Sequence, residues 1–296
     1  MKLILLIIFS FLSWESFGAS CCVSNTSIPN LMILPAKWQQ TFSFSQARVI
    51  GDVDDKGRST FRSKDNKETT SAARLDLAYG WSFRYQSGVS LKYQNKSRQF
   101  DDSQASNSGW SDVGLSHAYA PRMFDRLWIF QTVNIPTATS VYDAKSSLAV
   151  DAQGSGTYFT GLGFFKINNY KVGDLTFGGE AHRSFGRDIH TAQNDTHLNP
   201  YWGGSLSFGG GYVPWKSKMR LGTNFTPRLE GPKTGTNNGN DIKGKQSLVW
   251  DSVINATYSF DAQYAAGISY LDQTLVGPVS NTILTRSLSF LFQSRF

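Results

Sequence analysis

His182 and Ser184 stand two residues apart in an alternating stretch, so an extended chain puts an imidazole and a hydroxyl on one face. That is the smallest pair that could make a base-activated nucleophile. The rest of such a site is missing from the sequence: no Gly-x-Ser-x-Gly elbow surrounds a serine, and no metal-ligand spacing links His117, His182, His190 and His197. The reading is therefore no catalytic residue, no metal site and no cofactor, with loop 186–200 the place where chemistry would otherwise sit. A larger set of charged residues is more coherent. Arg74, Asp76, Lys92, Lys96, Arg98, Asp112, Asp174, Glu180, His182, Lys218, Arg220, Arg228 and Asp251 fall on the parity opposite to the large apolar residues of their segments. If that parity lines an interior, two arrangements fit. Opposite charges pair across strands, for example Asp76 with Lys96, and fill the space. Alternatively Lys92, Lys96, Arg98, Arg220 and Arg228 form a basic strip along an aqueous passage that favours anionic solutes.

The elements that must position these residues are strands. Residues 74 to 83 put Leu75, Leu77, Tyr79, Trp81 and Phe83 on one face and Arg74, Asp76, Ala78, Gly80 and Ser82 on the other. Residues 88 to 98 answer with Val89, Leu91 and Tyr93 opposite Ser90, Lys92, Gln94, Lys96 and Arg98, which makes a hairpin. Further strands are expected near 38–50, 110–121, 126–136, 156–167, 170–185, 201–213, 216–228, 247–260, 263–273 and 282–296, about twelve in all. In 126–136, Trp128 and Phe130 break the alternation of Leu127, Ile129, Val133 and Ile135. Small residues such as Gly161, Gly163, Gly203, Ser205, Gly209 and Gly211 leave room on one wall unless Phe159, Phe165 or Leu271 fills it.

The connections fall into two alternating classes. Short ones lie near 84–87, 122–125, 168–169, 213–215 and 261–262, and long polar ones at 51–68, 100–109, 137–155, 186–200, 229–246 and 274–281. Short turns on one side and long loops on the other are the pattern of a transmembrane antiparallel up-and-down β-barrel with periplasmic termini. A soluble sandwich would mix loop lengths less regularly. Averaging a lipid face with a wet face hides such strands from hydropathy windows, so a mean hydropathy of −0.30 is compatible with them.

The chain's ends agree. Lys2 and the run Leu3–Leu12, followed by Gly18-Ala19-Ser20, read as an export signal over residues 1–20, because the apolar run is too short to span a bilayer. Cys21 is either a lipid-attachment site or simply follows ordinary cleavage; the adjacent Cys21 and Cys22 staple no fold. Residues 21–37 would be a periplasmic segment or a plug, and 38–296 the barrel. At the other end Leu284, Leu288, Phe290, Phe292 and Phe296 share one face, with Thr285, Ser287, Ser289, Gln293 and Arg295 opposite. This resembles the C-terminal signature by which outer-membrane barrels are recognised, with Phe290, Phe292 and Phe296 as the insertion signal.

Three further patterns resemble the outer-membrane transporter family named for the meta-pathway of phenol degradation: Gly109-Trp110-Ser111-Asp112-Val113, Asn134-Ile135-Pro136-Thr137-Ala138 and Gly154-Ser155-Gly156-Thr157. Ser111 and Ala138 stand where that family usually has Gly. The resemblance implies a barrel that passes small, often hydrophobic or aromatic compounds across the outer membrane of a Gram-negative bacterium. Its partners would be outer-membrane lipids, the barrel-assembly machinery and a small-molecule solute. With 29 basic and 22 acidic residues and no concentrated basic tract, nucleic acid is not expected. The expected function is a passive channel or transporter; the alternatives are a filled barrel acting through its loops and, third, a lipid hydrolase.

Overall fold

The computed structural model describes residues 37–63, 65–122, 126–141, 143–146, 148–190, 195–214 and 217–296. The expected export signal, Cys21 and all but the last residue of segment 21–37 lie outside them. Among these residues eighteen strands run in chain order. They are β1 (Lys37–Val53), β2 (Ser59–Phe61), β3 (Asn66–Gly80), β4 (Tyr85–Phe100), β5 (Ser103–Trp110) and β6 (Val113–Tyr119). Next come β7 (Leu127–Ile135), β8 (Phe159–Tyr170), β9 (Gly173–Ser184), β10 (Arg187–His190), β11 (Asp195–Leu198) and β12 (Tyr201–Tyr212). The last are β13 (Met219–Glu230), β14 (Thr234–Asn237), β15 (Asn240–Lys243), β16 (Ser247–Ser259), β17 (Tyr264–Asp272) and β18 (Thr282–Arg295).

Twelve of these, β1, β3, β4, β6, β7, β8, β9, β12, β13, β16, β17 and β18, pair antiparallel in chain order, and β18 returns to β1. Closure is complete along the seam, from Gln39 opposite Arg295 to Val53 opposite Thr282, with one irregularity between Val49 and Gly51. At its foot the Trp38 N–H donates to the Phe296 carbonyl at 2.7 Å and the Phe296 N–H donates back at 3.0 Å. Closure leaves no unpaired edge, the condition for a sheet to stand in hydrocarbon.

The two faces are chemically opposed, as alternation demands. On β1, Trp38, Phe42 and Phe44 are about half exposed on the outside, while Gln39, Thr41 and Ser43 are buried within. Across the seam Phe42 lies opposite Phe292 and Phe44 opposite Phe290, and these rings also point outward. A belt of aromatic rings marks the end of the barrel that holds Lys37, Phe296 and the short turns. Trp38 packs on Tyr79, Tyr79 on Trp81, and Tyr85 stacks on Tyr119 at 4.7 Å.

Strand boundaries differ from the alternation reading where strands continue into polar sequence. The strand expected at 74–83 is β3, which starts at Asn66, and its turn is 81–84. The expected loop 100–109 is largely a hairpin, β4 running into β5. Parts of the expected loops 186–200 and 229–246 form a separate small sheet in the order β10, β11, β14, β15. Leu284 is 2% exposed, buried rather than lipid-facing. Trp128 and Phe130 do not interrupt a strand. They point inward and, with Ala118 and Phe165, make an apolar cluster on the inner wall. Gly163 leaves the room: a Cβ there would run into the Phe130 ring.

Candidate functional site

The barrel interior is built from the non-lipid parity of each strand. On β4 that parity carries Gln94, Lys96 and Arg98, and their partners are unexpected. Gln94 Nε2 donates to the Gln153 carbonyl at 2.8 Å, Lys96 Nζ donates to the Ala152 carbonyl, and Arg98 Nη1 donates to the Leu148 carbonyl at 2.6 Å. Inward side chains can reach loop backbone only if the loop lies inside. The described residues of loop 136–158, between β7 and β8, are therefore folded into the barrel against the β4 wall. Its burial agrees: Ser140, Val150, Ala152, Gln153 and Thr157 are all buried. Gln153 Nε2 also donates to the Val150 carbonyl at 2.8 Å and to the Asn107 carbonyl at 3.3 Å. Carbonyls that would otherwise be dry are thus paired with charged or amide donors.

Asp112, between β5 and β6, fastens both ends of this loop. Its Oδ2 accepts from Asn134 Nδ2 at 3.1 Å, from the Ser155 N–H at 2.7 Å and from the Ser155 hydroxyl at 2.7 Å, while Oδ1 accepts from the Ala138 N–H at 3.2 Å. Ser111 Oγ donates to the Gln153 carbonyl at 2.7 Å. The three short motifs singled out in the sequence thus meet in one hydrogen-bonded knot. Gly154 is required in it, because a Cβ there would collide with Asp112 Oδ1.

The remaining inward charges are mostly paired. Arg74 Nη2 lies 2.8 Å from Asp76, whereas the expected Asp76–Lys96 pair is not formed. The register explains this: Asp76 lies opposite Ser90, and Lys96 lies opposite Thr70, further along the hairpin. Lys92 lies opposite Arg74, two cations facing inward side by side. Arg98 Nη2 also reaches Glu68 at 3.0 Å. On the other wall Arg220 grips Asp174 through two bonds of 2.7 Å, the fork geometry that suits guanidinium and carboxylate. Arg228 Nε lies 2.8 Å from Asp251, which also accepts from Gln273 Nε2 at 2.7 Å. Glu180 accepts from Thr132 Oγ1 at 3.0 Å. Lys218 sits instead in the turn before β13, exposed at the rim, and donates to the Phe260 carbonyl at 2.6 Å.

His182 and Ser184 do not engage each other. His182 Nε2 lies 3.0 Å from Glu230, and its ring packs on Phe159. The buried Ser184 hydroxyl has no hydrogen-bond partner among the described residues. Phe290, Phe292 and Phe296 are half exposed on the outer face beside the seam. Glu68, Gln153, Glu230 and Gln273 were missed because each matters through a partner distant in sequence.

Outside the barrel, the β10–β11 hairpin carries two opposed pairs on its exposed face. His197 Nδ1 lies 2.6 Å from Asp188, and His190 Nδ1 lies 2.8 Å from Asp195. The hydrogen bond to the Asp188 carboxylate raises the His197 pKa, and the same bond lowers that of Asp188.

No family model matches the chain, and no curated protein matches it. Among solved structures, an outer-membrane channel from Pseudomonas putida F1 overlays on 93% of this chain and 100% of its own, with a TM-score of 0.69 at 14% identity. The fold is that of an outer-membrane β-barrel. The β domain of the Bordetella autotransporter BrkA covers 88% of this chain and 98% of its own, at 13% identity and a TM-score of 0.49. The monoaromatic hydrocarbon channel CymD covers 89% of each, at 8% identity and 0.47. Both are looser overlays that carry no further weight. In the barrel described here the strand number and the seam follow from this chain's own register.

Proposed function

We propose that this chain is a passive channel or transporter for small solutes in the outer membrane of a Gram-negative bacterium, with loop 136–158 setting the width of its passage. The observation that carries this reading is the bonding of the loop backbone by the inward Gln94, Lys96 and Arg98. A loop tethered inside a barrel narrows its lumen, and a pore needs a defined constriction. The fold shared with the P. putida channel supports it as analogy. The motif resemblance to the meta-pathway family, with the inner cluster of Trp128, Phe130 and Phe165, favours hydrophobic or aromatic solutes. The inward charges of the barrel strands would then line the lumen, and Phe290, Phe292 and Phe296 would serve recognition by the assembly machinery. An enzyme is disfavoured, since His182 is engaged with Glu230 and not with Ser184.

The second reading is a filled barrel, favoured by the paired charges Arg220–Asp174 and Arg228–Asp251. Planar-bilayer recording on the purified protein separates the two. Discrete conductance steps support the channel, and an electrically silent, folded barrel supports the filled form.

A further inference from the structure

Two guanidinium groups at the short-turn rim have no partner among the described residues. Arg84, in the turn between β3 and β4, and Arg122, in the turn after β6, flank a cleft of about 660 Å³ that is also lined by Ser82, Phe83, Tyr85 and Tyr119. The two turns are stitched together where the Ala120 N–H donates to the Arg84 carbonyl at 2.8 Å. Ser82 Oγ shapes the first turn by accepting from the Arg84 and Tyr85 N–H groups, each at 3.2 Å. Among the described residues neither guanidinium makes an ion pair or hydrogen bond, unlike Arg74, Arg98, Arg220 and Arg228 inside the barrel. Next to the lining stands Trp81, 65% exposed; within the lining Phe83 is 69% exposed and Tyr85 stacks on Tyr119.

We propose that this cleft binds the headgroup of an anionic glycerophospholipid, its phosphate held by Arg84 and Arg122 and its acyl chains lying along the outer aromatic face. The proposal rests on the membrane reading above. Guanidinium is the side chain best matched to phosphate oxygens, and Trp and Tyr rings gather where headgroups meet hydrocarbon. The turns lie at the barrel end that holds Lys37 and Phe296, since Lys37 lies opposite Gly80. In an outer membrane that end faces the phospholipid leaflet. An acidic segment of a periplasmic protein would meet the arginines but would leave Trp81 and Phe83 in water, so lipid is the better fit.

The test is native mass spectrometry of the full barrel in a neutral detergent, titrated with phosphatidylglycerol or phosphatidylcholine. Wild type should retain one phosphatidylglycerol at a concentration about tenfold below that needed for phosphatidylcholine, because two unpaired cations discriminate the anionic headgroup. Arg84→Gln with Arg122→Gln should abolish that preference, and Arg84→Lys with Arg122→Lys should keep part of it. Arg183→Gln, at the opposite rim, should change nothing. Heat-shifted gel migration establishes that each variant is folded, which separates loss of the site from loss of the barrel. Equal retention of both lipids by wild type, or an unchanged preference in the glutamine variant, overturns the proposal. So does arginine-dependent binding of a polyglutamate peptide without phosphatidylglycerol binding, which would assign the cleft to a protein partner.

Discussion

Asp112 Oδ2 lies 2.7 Å from both the backbone nitrogen and the hydroxyl of Ser155, a residue 43 positions further along the chain. One carboxylate thereby holds the returning end of the inner loop to the start of β6, and through Ala138 it holds the outgoing end as well. Bonds to an ionised acceptor are worth about 1.5 to 3 kcal/mol each where they are buried, and less here because the site is partly wet.

Asp112→Ala should therefore free the loop without unfolding the barrel, whose strands pair independently of it. The expected outcome is protease cleavage within 138–155 at least tenfold faster than in wild type, with heat-shifted migration retained. Equal cleavage rates would mean that the β4 contacts hold the loop alone.

Adjacent positions on β12 test which parity meets lipid. Leu206 is 52% exposed on the outer face, whereas Ser205 faces inward between the register positions of Glu180 and Arg228. Leu206→Arg near mid-strand should cost about 2 to 4 kcal/mol of folding stability in bilayers, and Ser205→Arg much less, since it can stay hydrated beside Glu180. Urea titration of folding into liposomes measures both. Similar losses would contradict the assignment of faces.

The outer hairpin should respond to pH. The His197 pKa is raised in the folded hairpin, so its contribution is fully present below the ordinary histidine value near 6.5 and fades as pH rises through the raised one. Asp188 is lowered, so its contribution is present above about 3.9 and fades as pH falls through the lowered value. Amide exchange in residues 187–190 and 195–198, corrected for intrinsic rates, should be slower at pH 6 than at pH 8.5. His197→Asn should remove the difference; if it persists, the pair does not order the hairpin.

The twelve barrel strands were legible in the sequence because lipid outside and water inside impose a period of two. That same rule found β7 but left two of its residues unexplained. Trp128 and Phe130 look like breaks only if every inward residue must be polar, and here the inner wall carries an aromatic cluster. The Asp76–Lys96 pairing failed because hairpin register, which places Lys96 opposite Thr70, is not written in alternation. The four short outer strands were read as loop, since four residues hold too little pattern to recognise. Most of the candidate site was hidden for a related reason. Nothing in loop 137–155 announces that it folds inward; the only trace was Asp112 within a short motif whose partners lie in two others.

Single-channel recording of wild type beside a variant in which residues 140–152 are replaced by a short Gly-Ser linker tests the central claim most directly. If the inner loop constricts a passive channel, wild type gives small, reproducible steps and the variant gives steps several-fold larger, because the linker leaves the β4 wall uncovered. Equal steps in the two would show that the loop does not set the width, and silence from both, with the barrels folded, would contradict the channel itself.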